Sequence, residues 1–129
     1  MPSEMLSDLV SAALAKALDG SAARHRALAE NIANVDTPGF QRRDVAFHEQ
    51  LRAAFRHAGD SETILAGLER VRPEEILDRT RSARADGNSV SIETEMGELA
   101  KNTLEYETDA QLLMGKLRML QTAISEGKK

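Results

Sequence analysis

The sequence predicts a mainly α protein. Long N- and C-terminal helices form a coiled-coil-like pair, joined by a short irregular middle that holds small helices or a little extended structure. Three observations predict this. On the C-terminal side, Ile92, Met96, Leu99, Thr103, Tyr106, Ala110, Leu113, Leu117, Leu120 and Ile124 recur at alternating spacings of four and three, the pattern of a heptad seam. Near the N-terminus, an apolar helical pattern runs into Asn31-Ile32-Ala33-Asn34-Val35-Asp36-Thr37-Pro38-Gly39-Phe40. Finally, the 129 residues are 41% hydrophobic but only 3% aromatic. The apolar content is therefore mostly Ala and Leu, which favour helix and pack in thin seams rather than a thick core.

The chain divides into an N-terminal coiled-coil helix (1–36), a turn motif and middle segment with short elements (37–90), and a C-terminal coiled-coil helix (91–129). The first helix is expected over Glu4 to Val35. Its apolar stripe starts at Leu6, Val10, Ala13 and Ala17, then passes to Leu18, Ser21, His25, Leu28, Ile32 and Val35. The phase slips near Gly20, which costs about 1 kcal/mol against Ala inside a helix, so a bend or break is expected there. Pro38 disfavours helical geometry at Thr37, and Gly39 tolerates positive φ. The chain therefore turns between Asp36 and Phe40.

In the middle, Asp44 is an expected cap for a helix through His57, with Phe47, Leu51 and Phe55 on one side. A second short helix is expected over Ser61 to Arg70, with Ile64, Leu65 and Leu68 inward, and Pro73 ends it. Asp78 to Arg84 is charged and aperiodic, a loop or extended segment leading into the turn signal Asp86-Gly87-Asn88. Ser91 is the expected cap of the last helix, and Glu93 and Glu95 complement its dipole. That helix runs to Ser125, with Gly127-Lys128-Lys129 as a frayed tail.

From Ile92 to Ile124 the last helix spans roughly 50 Å at 1.5 Å per residue. Each buried large apolar residue contributes about 1.5–3 kcal/mol, against about 1–2 kcal/mol per residue for ordering the backbone. One seam does not hold such a helix. It needs the N-terminal helix, through Leu28, Ile32 and Val35, and other chains besides. A second stripe, Leu104, Leu112 and Met119 with Thr108 and Gly115 between, lies off the seam. A contiguous apolar stripe of this kind marks an interaction surface between subunits.

Little here resembles catalytic chemistry. His25, His48 and His57 form no metal-ligand spacing, and there is no Walker loop, GxGxxG or GxSxG. Asp86-Gly87-Asn88 lacks the further ligands of an EF-hand loop. Glu93/Glu95 and Glu105/Glu107 are two apart, on different helix faces. No catalytic, cofactor-binding or metal residue is assigned, and no cofactor. Cysteine is absent, which removes disulfides and thiolate chemistry. The formal charge of −4 argues against a nucleic-acid partner. Arg42-Arg43 and Arg79, Arg81 and Arg84 are read as solvated or intersubunit ion-pair residues. No apolar run suits membrane insertion, and Met1-Pro2-Ser3-Glu4 lacks the positive start of a secretory signal.

The turn has content beyond a helix stop. Asn31 and Asn34 share a helix face, and their amides are placed to serve carbonyls left open at the helix end. At these residues the chain resembles the bacterial flagellar axial proteins, the family of rod, hook and hook-associated proteins. Asn31, Asn34, Thr37, Pro38, Gly39 and Phe40 match its Asn-x-x-Asn-x-x-Thr-Pro-Gly-Phe motif in register. Ala85-Asp86-Gly87-Asn88-Ser89-Val90, with Glu95-Met96 and Leu99-Ala100-Lys101-Asn102, resembles the C-terminal signature of rod proteins. The short middle and the run Gln41-Arg42-Arg43-Asp44-Val45 are most similar to the proximal rod proteins. The match covers both ends and carries little between Arg56 and Arg79.

The resemblance implies a structural, non-enzymatic subunit of the flagellar basal-body rod, whose terminal helices pack into a hollow axial structure in the cell envelope. It implies export by the flagellar type III apparatus without a cleaved signal. The partners it implies are other copies of the chain, FlgC and other rod proteins, and the FliE region. The competing reading is a helical export chaperone or interaction module with no filament role.

Overall fold

A computed structural model of the chain describes residues 3–56 and 59–127. Two long helices dominate it, α1 (Ser3–Ala33) and α4 (Ile92–Gly127). Between them lie β1 (Arg43–Ala46), α2 (His48–Arg56), α3 (Ser61–Arg70) and β2 (Glu74–Leu77). His57, the expected end of the first short helix, and Lys128 and Lys129 of the expected tail lie outside the described residues.

α1 and α4 are antiparallel. Asn31 meets Glu95, Arg24 meets Glu98, and Ser21 meets Asn102, so residue numbers rise on one helix as they fall on the other. An adjoining side of α1 carries the small elements. Leu9 packs with Ile64 and Leu68 of α3, and Ala27 with Val45 and Phe47. Half-buried Leu51 joins both clusters. α3 keeps its expected span, with Ile64 and Leu68 buried, and the structure adds a cap: Asp60 accepts from Thr63 N–H at 2.8 Å.

Two expectations are corrected. Asp44 does not cap a helix. It lies in β1, which pairs antiparallel with β2 in the register Asp44↔Ile76, and the helix starts four residues later at His48. Phe47 and Leu51 share a side in either reading, so apolar spacing does not distinguish the two. The partner strand that decides it is about thirty residues away.

The expected break near Gly20 is also absent, since α1 is continuous through it. Gly20 is there for Phe47. A Cβ at Gly20 would lie 2.3 Å from the Phe47 ring, which is itself buried. Ala in a helix interior normally gains about 1 kcal/mol over Gly. Here the overlap reverses the sign: Gly20→Ala is expected to destabilise by about 1–3 kcal/mol. A lowered urea midpoint of the purified chain checks this, and Phe47→Leu in the same chain should relieve part of it.

Candidate functional site

The two sequence motifs meet at one end of the long-helix pair. α1 ends at Ala33, and Thr37 N–H donates to Asn34 O at 3.0 Å to close the turn. Asn34 Nδ2 donates to Glu30 O at 2.8 Å, and its Oδ1 accepts from Thr37 Oγ1 at 3.1 Å. Asn34 thus serves a helix-end carbonyl. Asn31 acts elsewhere: it is fully buried and reads the backbone of Arg43. Its Oδ1 accepts from Arg43 N–H at 3.0 Å, and its Nδ2 donates to Arg43 O at 2.7 Å. Carbonyls at and just beyond the helix end are also served from the other motif. Asn88 Nδ2 donates to Asn34 O, Val35 O and Thr37 O at 2.9, 3.1 and 2.8 Å. Its Oδ1 accepts from Val90 N–H at 2.7 Å, and Arg84 also donates to Val35 O.

Gly39 takes φ +75 and Gly87 φ +82. Gly39 N–H donates to Asp86 O at 2.8 Å, and Ser89 N–H to Phe40 O at 3.0 Å. A Cβ at Gly87 would sit 3.3 Å from Gly39 Cα. Both glycines are therefore required by backbone conformation, and Gly87 by proximity too. Pro38 and Thr37 are exposed at the tip, and Phe40 is half-buried.

Beside this latch is a buried ionic cluster. Arg42 is 2% exposed and Glu95 0%. Arg42 Nε donates to Glu95, Nη1 to Asp78 at 2.6 Å and Nη2 to Asp44 at 3.2 Å. Asn31 Nδ2 also reaches Glu95 at 3.2 Å. Arg24 bridges Asp44 at 2.9 Å and Glu98 at 2.8 Å. Burial alone would raise the Asp44 carboxyl. The Arg24 and Val45 hydrogen bonds, with the Arg24 and Arg42 charges, outweigh it and hold Asp44 below the ordinary range. Asp78 is held low too, by the Thr80 hydroxyl first and by Arg42. Arg42 is thus not a solvated or intersubunit residue as expected; it is the centre of an intrachain cluster. Arg43 is exposed, 3.2 Å from Glu75.

These polar groups decide which face of α4 meets α1. Glu95, Glu98, Asn102, Glu105 and Asp109 follow one another at spacings of three and four along the covered side of α4. The apolar heptad seam runs next to them. Leu99 and Leu113 are half-buried, whereas Ile92, Met96, Leu117, Leu120 and Ile124 are exposed. On α1, Leu28 is buried and Ile32 and Val35 half-buried. Thr103 and Tyr106 of the seam face Ser21 and His25 of the α1 stripe across an open groove. Leu104 lies on the other side of the helix pair, near Phe47, His48 and Leu51. Leu104, Leu112 and Met119 are all exposed. No helix among the described residues is long and apolar enough to cross a membrane.

Sequence similarity to known proteins covers most of the chain. The chain is 32% identical over 124 residues to the flagellar basal body rod protein FlgB of Yersinia ruckeri, covering 87% of this chain and 90% of the relative. It is 34% identical over 119 residues to FlgB of Aeromonas hydrophila (84% and 86%), and 28% over 124 residues to FlgB of Escherichia coli K12 (87% and 90%). The chain belongs to the FlgB family of flagellar basal-body rod proteins. No family model matches it.

Within this FlgB-family chain, sequence reasoning missed Arg42, Asn88, Glu95 and Asn102 as structural centres. For Glu95 and Asn102 a signal exists in the polar line beside the apolar seam. Asn88 reads as part of a turn, and nothing local marks its amide as the cap of a helix that ends fifty residues earlier. Arg42 carries little local signal, because only Asp44 is near it in sequence, and Asp78 and Glu95 come from distant segments.

Proposed function

We propose that this rod protein assembles through its terminal helices, packing with other copies and neighbouring rod proteins such as FlgC and the FliE region into a hollow axial structure. It reaches the cell envelope through the flagellar type III apparatus and has a structural rather than an enzymatic role. One observation supports this above others: the heptad seam of α4 stays open. Met96, Leu117 and Ile124 remain 52%, 54% and 61% exposed. A subunit that completed its own core would turn that seam onto α1. This one turns a polar face onto α1 where the two helices pack, and from Leu117 on α4 is exposed on every side, so apolar surface is kept for neighbours.

The test uses a strain lacking its own FlgB. The expressed chain is expected in purified basal bodies by immunoblot and to be monomeric when free. Leu117→Glu is expected to reduce incorporation at least tenfold, because a carboxylate buried without a partner is costly. A stable soluble dimer that never enters basal bodies would favour the chaperone reading and overturn this one.

A further inference from the structure

The two-stranded sheet has one closed edge and one open one. Its register pairs Arg43 with Leu77, Asp44 with Ile76, Val45 with Glu75 and Ala46 with Glu74. Just past it, Asp78 N–H donates to Arg42 O at 2.9 Å, which fixes the phase of the ladder. Antiparallel pairs alternate between bonded and non-bonded, so the N–H and C=O of Arg43, Val45, Glu75 and Leu77 point away from the partner strand. On β1 this outer edge is largely answered. Asn31 binds both Arg43 groups, at 3.0 and 2.7 Å, and Val45 N–H donates to the Asp44 carboxylate at 2.7 Å. On β2, the backbone groups of Glu75 and Leu77 have no hydrogen-bond partner among the described residues. Every residue of β2 is exposed, with no proline or bulge among them, and Ile76 and Leu77 are 44% and 43% exposed. Such an edge is a template for another strand.

The outward groups of Glu75 and Leu77 repeat about 7 Å apart, a spacing that an extended backbone matches with its own donors and acceptors. A helix spends those groups internally and does not. Charge narrows the occupant further. Glu75 already has Arg43 at 3.2 Å, and Arg72 turns back onto Glu69 O and Val71 O at 2.6 and 3.0 Å. Glu74 at one end of the strand and Arg79 just past the other are exposed and make no ion pair among the described residues. A second copy's β2 would add its own Glu74 and Glu75 to the same short sheet, which like charge disfavours. The edge suits a segment with an apolar centre against Ile76 and Leu77, a basic residue beside Glu74 and an acidic one beside Arg79. We infer that β2 receives such an extended segment from a different protein of the basal body, as a third strand. This rests on the rod-subunit reading above, but the surface belongs to the middle of the chain and not to the terminal helices.

Two measurements in a strain lacking its own FlgB test it. Proline is tolerated where an edge N–H faces outward, so Leu77→Pro removes one docking donor and keeps the ladder to β1. The purified variant is expected to match the urea midpoint of the unaltered chain, while its content in basal bodies falls at least tenfold. Leu77→Ala keeps the N–H and is expected to lose no more than about threefold. Equal losses for the two at matching midpoints, or no loss for Leu77→Pro, overturn the inference. In the second measurement a photo-crosslinking amino acid replaces Ile76. In basal bodies it is expected to link the chain to a different polypeptide, through an apolar stretch flanked by a basic residue. Links to copies of this chain alone, or none while the chain incorporates, overturn the inference and leave the rod reading standing. This readout decides even where Leu77→Pro unfolds the chain. Absence of the unaltered chain from basal bodies overturns the rod reading and this inference together.

Discussion

Arg42→Ala is expected to destabilise the chain by about 3–5 kcal/mol, the usual cost of removing one partner from a buried ion pair. A domain of this size has about 5–15 kcal/mol in total, so the variant should be partly unfolded at ambient temperature. The reason lies with Glu95, which is 0% exposed and would keep only the Asn31 amide. Asp44 and Asp78 are less affected, because both reach solvent. The double variant Arg42→Met with Glu95→Met is therefore expected to be more stable than Arg42→Ala, since no buried charge remains. Urea unfolding followed by circular dichroism measures both. If the double variant is the less stable of the two, the desolvation account of this cluster is wrong.

The same cluster sets the acid limit. Asp44 and Asp78 are held below the ordinary carboxyl range in the folded chain. As pH falls below about 4, the unfolded carboxyls take up protons first. Their contribution to stability is present above that pH and lost as pH falls through the folded values. Asp44→Asn should lower stability at neutral pH and flatten its fall on the acid side.

Gly39→Val is expected to abolish swimming while leaving expression and export largely intact. Nothing crowds a Cβ at Gly39, but its φ is +75, and the left-handed region costs an ordinary residue about 1–2 kcal/mol and a β-branched one more. The valine chain would relieve that strain by rotating the turn, which breaks the Gly39 N–H bond to Asp86 O. Gly39→Asn should swim far better, because Asn adopts this conformation readily. Asn88→Ala is expected to act through the same contact from the other side. It removes a donor shared by three carbonyls, each of which keeps another donor, and it leaves the buried Val90 N–H without its acceptor, at about 1–3 kcal/mol. Asn34→Ala should be milder, since its bonds are exposed. Soft-agar spreading, with blots of cell and basal-body fractions, ranks the four. Normal spreading by Gly39→Val would show that this turn does not shape the subunit.

The sequence by itself determined the helices whose signals are local. Periodicity and the Pro38-Gly39 stop delimited α1. Ile64, Leu65 and Leu68 marked α3, and Ser91 with the heptads marked α4. The motif residues themselves brought the family into view. Tertiary structure decided the rest, wherever two local readings were equally good. Phe47 and Leu51 suit a helix from Asp44 as well as a strand followed by a helix, and pairing with Glu74–Leu77 chose the strand. Gly20 signals a break when read along the chain, and only the Phe47 ring packed against it gives its actual reason. On α4 an apolar seam and a polar line run side by side, and hydrophobic patterning favours turning the seam inward. Arg42, Arg24 and Asn31 instead hold Glu95 and Glu98. Turning the polar line outward would leave the buried Arg42 guanidinium and Asn31 amide short of an acceptor, which costs more than apolar side chains left in water, so the polar face is the one that turns toward α1.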